Sequence, residues 1–140
     1  MPRALINVTV WDGRQVIHPG FVLWEGERIS DVGRADVVRF SSNVRLIDGK
    51  GGWVIPGLID LHVHVDEVKT PELFVRYGVT SVRDMGSSPR VIAQWREAWR
   101  KGDRRPYVYW MGRNIDTGKP SWWEAVAVKN PRDVPALLEH

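Results

Sequence analysis

Three residues with side chains able to bind a metal recur at every second position in the segment GLIDLHVHV. They are Asp60, His62 and His64. Side chains two apart on a β-strand point to the same face, roughly 6.6 Å from one to the next. At that spacing two neutral imidazoles can bind one divalent ion, and a carboxylate behind them can orient a ligand. Histidines in an apolar strand can equally be core residues with ordinary hydrogen-bond partners, so the motif alone leaves both interpretations open.

The composition narrows the class of protein. A chain of 140 residues with 43% hydrophobic content is sufficient for a packed core. Lys and Arg number 20 against 17 Asp and Glu, a balance that does not indicate a nucleic acid or membrane partner. Because cysteine is absent, any metal must bind to histidine, carboxylate or modified lysine. The N-terminus lacks a signal-peptide pattern and no apolar run approaches about 18 residues, so we expect a cytoplasmic protein.

The first part of the chain has the alternation and turns of β-strands. ALINVTVWDG alternates, and GFVLWEGERISDVG predicts a hairpin with its turn at Glu25 to Glu27. NVRLIDGKGGWVIPG predicts a further strand followed by a Gly-rich turn. We therefore expect residues 1–55 to form a small all-β segment.

From Pro56 onwards, strands alternate with helices. LIDLHVHV, VTSVRDMG and PYVYWMG predict buried strands. TPELFVRYG predicts a short helix with Thr70 as N-cap, Pro71 at the first helical position and Gly78 as terminator. SSPRVIAQWREAWRKGD predicts an amphipathic helix, whose apolar face contains Val91, Ile92, Trp95 and Trp99. A long loop and a further helical segment follow, and this order indicates parallel βαβ units in residues 56–140.

Two stretches of the sequence resemble a known family. GGWVIPGLIDLHVH is similar to the entry into the barrel of the amidohydrolase superfamily, and YGVTSVRDMG resembles the second strand of its imidazolonepropionase-like and prolidase-like branch. The β-rich start also fits these enzymes. The resemblance implies an α/β fold: the N-terminal part of a TIM-like (β/α)₈ metal-dependent hydrolase barrel, preceded by a small β-sandwich strand set.

The same resemblance implies a function and a site. The implied enzyme uses a metal-activated water to hydrolyse amide or other C–N bonds in a small, non-peptide or dipeptide-like substrate. His62 and His64 are implied as metal ligands, with Asp60 as a supporting residue. The implied metal is divalent: zinc, with iron or manganese as alternatives. The family's other ligands and its general base lie on later strands, so no catalytic residue is assigned.

The length of the sequence bears on this interpretation. A complete barrel needs about 250 residues, whereas only three barrel-like strands are predicted, and the helical segment at His140 ends without a C-cap glycine. We therefore expect the N-terminal portion of an enzyme that is inactive alone and is completed by the remainder of the enzyme or by a homo-oligomer. The alternative is a non-catalytic binding or assembly module derived from the same fold.

Two further pairs of residues allow more than one role. Trp122 and Trp123, in the predicted loop, either wall an apolar substrate pocket or pack the loop. Arg83 and Asp84 end a predicted strand, where a substrate role and a structural contact are both compatible with the pattern. The eight tryptophans of the chain also raise a carbohydrate-binding module, which the βα pattern disfavours.

Overall fold

The computed structural model describes residues 1–120, 122–123 and 125–138. The predicted end of a helical segment at His140 lies outside these residues. The chain divides into two compact units, Met1–Pro56 and Gly57–His140, a boundary one residue beyond the division expected from the sequence. Within the described ranges, none of the helices has the length and apolar character needed to cross a membrane.

The first unit is a four-stranded sheet formed by β1 (Arg3–Trp11), β2 (Val16–Glu25), β3 (Arg28–Arg34) and β4 (Arg45–Val54). The strand order is β3-β2-β1-β4, with β1 antiparallel to β2 and parallel to β4. The predicted hairpin is present between β2 and β3, and Gly26 in its turn has a φ of 58°, which glycine adopts without steric cost. Val8, Val10 and Val22 form the buried core of this sheet.

The prediction of a Gly-rich turn at GKGG is wrong, because β4 continues through these four residues. The extra residues are absorbed by an irregularity in the β1–β4 register between Ile6 and Val8. Close approach of the strands requires glycine there, since a Cβ on Gly49 would lie 2.1 Å from the Cγ1 of Val8.

The β1–β4 irregularity holds two residues in the left-handed region: Asn7, with a φ of 54°, and Lys50, with a φ of 55°. One carboxylate oxygen of Asp48 accepts hydrogen bonds from the backbone N–H of Lys50 and the side-chain amide of Asn7, both at 2.8 Å. These bonds, that from Lys50 foremost, lower the pKa of Asp48. The polar groups at this irregularity thus satisfy one another locally.

The second unit contains a three-stranded parallel sheet of β5 (Leu58–Val63), β6 (Val79–Asp84) and β7 (Tyr107–Trp110), in that order. Helices α1 (Glu72–Arg76) and α2 (Pro89–Arg100) make the two connections, so the predicted βαβ alternation is present. Residues from these strands, from α2 and from the turn after β5 form the buried core, which comprises Val63, Val65, Val82, Ile92, Trp95 and Val108.

The predicted buried face of α2 is present, whereas the predicted N-cap of α1 is not. In α2, the Ser88 hydroxyl caps the first turn by accepting from the N–H of Val91 at 3.3 Å, and Ile92 and Trp95 are buried as predicted. In α1, the predicted N-cap at Thr70 is wrong, because Pro71 occupies the N-cap position and no side chain caps the helix. Thr70 contributes only its carbonyl, which accepts from Leu73 N–H at 3.1 Å.

The segment after β7 is more ordered than the predicted loop. Strands β8 (Ile115–Thr117) and β9 (Val126–Val128) pair in parallel, and a 3₁₀ turn at Pro131–Asp133 leads into α3 (Val134–Leu138). Strands of three residues are too short to show a period of two in the sequence, which explains why they were not predicted.

Candidate metal-binding site

The two histidines of the HxH motif lie together at the carboxyl end of β5. His62 is on the strand and exposed, whereas His64 directly follows the last strand residue, Val63, and is half-buried. Val63 and Val65 are buried in the core, so the alternation places the histidines on the other side. The two imidazole rings meet edge to face, with 5.4 Å between their centroids.

Asp60 contacts the backbone of the motif. Its carboxylate accepts a hydrogen bond from the backbone N–H of His62 at 3.0 Å, so it braces the strand at that histidine. Asp60 also borders a cleft of about 610 Å³ that α1 residues, including Leu73 and Phe74, line. Neither histidine borders this cleft, so it is separate from the candidate metal site.

Asp84 fastens the strand ends beside the histidines. It is fully buried, and one carboxylate oxygen accepts from the N–H of Val65 at 2.9 Å and from the hydroxyl of Ser87 at 2.6 Å. The other oxygen accepts from the N–H groups of Gly86, at 3.1 Å, and Ser87, at 2.8 Å. Asp84 therefore ties the residue after His64 to the turn between β6 and α2, which assigns it the structural contact that the sequence left open.

The neighbouring Arg83 has a different environment. Its side chain is exposed, and its guanidinium Nε lies 3.3 Å from the sulfur of Met85. The two residues that the sequence grouped at this strand end thus point to opposite environments, as alternation requires.

Trp122 lies against His64, a contact that the sequence did not predict. Its indole stacks on the imidazole of His64, with 4.6 Å between the ring centroids and 29° between the ring planes. Trp123, the next residue, is 66% exposed. The sequence could not distinguish these adjacent tryptophans, because only the tertiary structure brings one of them against His64.

One buried imidazole nitrogen at the site, Nδ1 of His64, has no hydrogen-bond partner among the described residues. Most buried polar atoms are hydrogen-bonded, and an exception often marks an ion or a water. The arrangement fits part of a divalent-metal site, in which neutral imidazole is a common ligand. Within the part of the chain that the structure describes, no group of three or more His, Cys, Asp or Glu residues is placed to hold a metal.

Part of the chain is similar in sequence to known proteins. No family model matches the chain. Over 58 residues the chain is 36% identical to the 5-methylthioadenosine/S-adenosylhomocysteine deaminases of Bacillus thuringiensis (strain Al Hakam) and Bacillus anthracis. These 58 residues cover 41% of this chain and 13% of each deaminase.

Solved structures match over a longer stretch. A putative prolidase from Bifidobacterium longum superposes with a TM-score of 0.75 at 20% identity, covering 99% of this chain and 37% of the prolidase. A prolidase complexed with N-methylphosphonate-L-proline gives 0.74 at 21% identity, covering 99% and 43%. Molinate hydrolase gives 0.68 at 23% identity, covering 84% and 31%.

These comparisons confirm the resemblance to the amidohydrolase superfamily. The structural neighbours are amidohydrolase- and prolidase-like proteins, and the curated relatives are deaminases of the amidohydrolase family. The solved structures establish a mixed α/β fold that matches the N-terminal part of amidohydrolases. The chain spans well under half the length of these relatives, between 31% and 43% of the three solved chains.

Proposed function

We propose that this chain supplies the first two metal ligands, His62 and His64, of an amidohydrolase that hydrolyses an amide or other C–N bond in a small molecule. The observation that carries the proposal is the contact between the two imidazoles at the carboxyl end of β5. Catalytic residues of barrel enzymes gather at the carboxyl ends of parallel strands. On this proposal β5, β6 and β7 are the first strands of a (β/α)₈ barrel, and residues 1–55 contribute strands to a composite sandwich.

A divalent metal at this site would lower the pKa of a bound water and polarise the scissile carbonyl. Zinc is the metal we propose, with iron or manganese as alternatives, since imidazole suits all of these ions. The chain's own residues hold the ligands in place. Asp60 braces the backbone of His62, and Asp84 fixes the backbone of Val65, next to His64.

The remaining ligands and the general base are not assigned to any described residue. Structural zinc sites usually have four ligands and catalytic zinc sites three, so two imidazoles alone give an open and weak site. We therefore propose that the chain is inactive by itself and acts when the later barrel strands complete it, in the same enzyme or through a homo-oligomer. Its substrate would be dipeptide-like or another small amide, and its compartment the cytoplasm.

The test of the proposal is the metal content of the protein that includes the later strands. The wild type is compared with a His62→Ala, His64→Ala double variant, and with His18→Ala as the matched control. His18 suits this purpose because its ring is hydrogen-bonded to the hydroxyl of Thr9 at 3.0 Å, within the first unit. We expect stoichiometric divalent metal in the wild type and the control, and loss of metal together with C–N hydrolysis in the double variant.

Two results would count against the proposal. Equal metal in the wild type and the double variant would show that these histidines are not ligands. A wild type that binds no divalent metal would favour the alternative function, a non-catalytic binding or assembly module on the same fold.

A further inference from the structure

The stacked pair of Trp122 and His64 contains two buried nitrogens that lack a partner. They are Nδ1 of His64 and Nε1 of Trp122, and neither has a hydrogen bond to any described residue. An indole nitrogen can only donate, whereas an imidazole nitrogen accepts or coordinates when it carries no proton. Each atom therefore calls for a different partner: an oxygen acceptor for the indole, and a cation or a donor for the imidazole.

The two nitrogens cannot satisfy one another. An N–H bond lies in the plane of its aromatic ring, and the planes of the two rings are inclined by only 29°. The indole N–H therefore points along the face of the imidazole and not towards its in-plane lone pair. A single species that presents both a cation and an oxygen would satisfy both nitrogens, and a metal ion with an oxygen ligand is such a species.

The stacking also acts on the orientation of His64. Rotation of an imidazole about its last side-chain bond is only loosely restricted in an open environment. A ring held against an indole face at a centroid distance of 4.6 Å loses much of that freedom. Coordination would give the imidazole positive charge, and a cation over an indole face is attracted by the π-system. The contact therefore both orients the ligand and favours its metal-bound form.

We propose that Trp122 has two roles at the site: it positions His64 for the metal, and it donates its indole N–H to an oxygen of the metal-bound ligand. That oxygen belongs to a carbonyl or carboxylate of the substrate class proposed above. This inference rests on the proposed function, since it needs a metal at His64. Trp123 has no such role, because it is 66% exposed and no ring contact is seen for it within the described residues.

Substitutions at Trp122 separate the two roles. Trp122→Phe keeps an aromatic face for stacking and removes the N–H, whereas Trp122→Ala removes both. Trp123→Phe and Trp123→Ala are the matched controls. Zinc affinity is measured by calorimetric titration, and acetohydroxamate, which binds zinc through its oxygens, is then titrated into each zinc-loaded protein. In the wild type, the ¹⁵N–¹H signal of each indole reports which tryptophan meets the added oxygen ligand.

We expect Trp122→Ala to weaken zinc binding about tenfold, as is usual when a residue that orients a ligand is lost. Trp122→Phe should leave zinc affinity within about twofold and weaken acetohydroxamate binding roughly fivefold, the effect of one hydrogen bond. Acetohydroxamate should shift the indole signal of Trp122 and not that of Trp123. If Trp122→Ala does not fold, Trp122→Phe and the wild-type indole signals still decide the second role.

Four results distinguish failure of this inference from failure of the proposed function. If Trp122→Ala weakens zinc binding no more than Trp123→Ala does, the positioning role is overturned. An unshifted Trp122 indole, or an acetohydroxamate affinity in Trp122→Phe equal to wild type, would overturn the hydrogen bond. Zinc binding that survives loss of both His62 and His64 would instead overturn the proposed function itself.

Discussion

Polar groups lie where regular strand pairing stops at two places: the β1–β4 irregularity of the first unit and the β5–β6 strand ends of the second unit. The two places differ in whether these polar groups have hydrogen-bond partners. In the first unit, Asp48 accepts hydrogen bonds from Asn7 and Lys50. In the second unit, buried atoms of His64 and Asp66 have no partner among the described residues. The buried side-chain atoms found without a partner in the described ranges all belong to the second unit, and they are on His64, Asp66, Arg96, Arg105 and Trp122.

The presence or absence of hydrogen-bond partners distinguishes polar groups that stabilise the fold from polar groups that can bind a ligand. An unpaired buried polar group costs free energy, and a bound ion, ligand or water that supplies the partner removes that cost. A position at a strand end does not by itself leave a polar group without a partner. The carboxylate of Asp84 lies in the same region and accepts four hydrogen bonds. We therefore regard Asp84 as structural and the stacked pair of His64 and Trp122 as functional.

The largest change in the free energy of unfolding is expected when the carboxylate of Asp84 is removed. Asp84→Ala leaves the N–H groups of Val65, Gly86 and Ser87 without their acceptor, and we expect it to lower the free energy of unfolding by about 3–5 kcal/mol. Urea unfolding, followed through NMR signals of the second unit, measures this. Arg83→Ala is the control, with an expected change within about 0.5 kcal/mol. Equal effects of the two substitutions would remove the distinction drawn for Asp84.

Substitution of His64, in the same region, is expected to raise the free energy of unfolding. His64→Leu removes a buried nitrogen that has no partner and keeps an apolar side chain in its place. We expect the free energy of unfolding without metal to rise by about 1 kcal/mol, while zinc binding is lost. His62→Leu replaces an exposed side chain, so it should abolish zinc binding without this gain in stability. A destabilisation of several kcal/mol by His64→Leu would mean that His64 is a structural core histidine.

In the first unit, the left-handed conformation of Lys50 offers a smaller gain. A residue with a Cβ is strained at a φ of 55°, and glycine is not. We expect Lys50→Gly to stabilise the first unit by about 0.5–1 kcal/mol in urea unfolding. Arg45→Gly, in the same strand but not in the left-handed region, should destabilise it by a similar amount. Destabilisation by both substitutions would show that Lys50 is not strained.

The smallest effect concerns the charge of Asp48. Its pKa is lowered in the folded state by the hydrogen bonds from Lys50 and Asn7. The stability that this carboxylate contributes is therefore present above its unfolded pKa, about 4, and is lost as the pH falls through its lower folded pKa. Asp48→Asn keeps an acceptor oxygen and cannot ionise, so the free energy of unfolding of this variant should fall less than that of the wild type as the pH is lowered through the unfolded pKa of Asp, about 4, and below it. Parallel curves for the two proteins would contradict this account.

The positions of the candidate ligands could be predicted because they depend on local geometry. Alternation along a strand places His62 and His64 on one side, and the structure brings their rings to 5.4 Å. The cap of α2 at Ser88 is also local, since its hydroxyl bonds an N–H three residues later. At Thr70 the same rule failed, because Pro71 with a φ of −57° and a ψ of −30° occupies the capping position.

The features that could not be predicted depend on contacts between distant parts of the chain. Asp84 bonds the N–H of Val65, 19 residues earlier, and alternation says nothing about such a pairing. Trp122 reaches His64 only after β7 and the following segment have folded back. The continuation of β4 through its glycines depends likewise on pairing with β1, which overrides the local preference of Gly for turns.

The central claim is that His62 and His64 bind one metal ion together. It is tested most directly by a zinc titration of the ¹⁵N-labelled chain in which the ring nitrogens of each histidine are observed. We predict that one ring nitrogen of His62 and one of His64 move towards the shift of metal-bound imidazole with a common midpoint, while those of His18 do not move. Independent midpoints for the two residues, or a response of His18 equal to theirs, would contradict the claim.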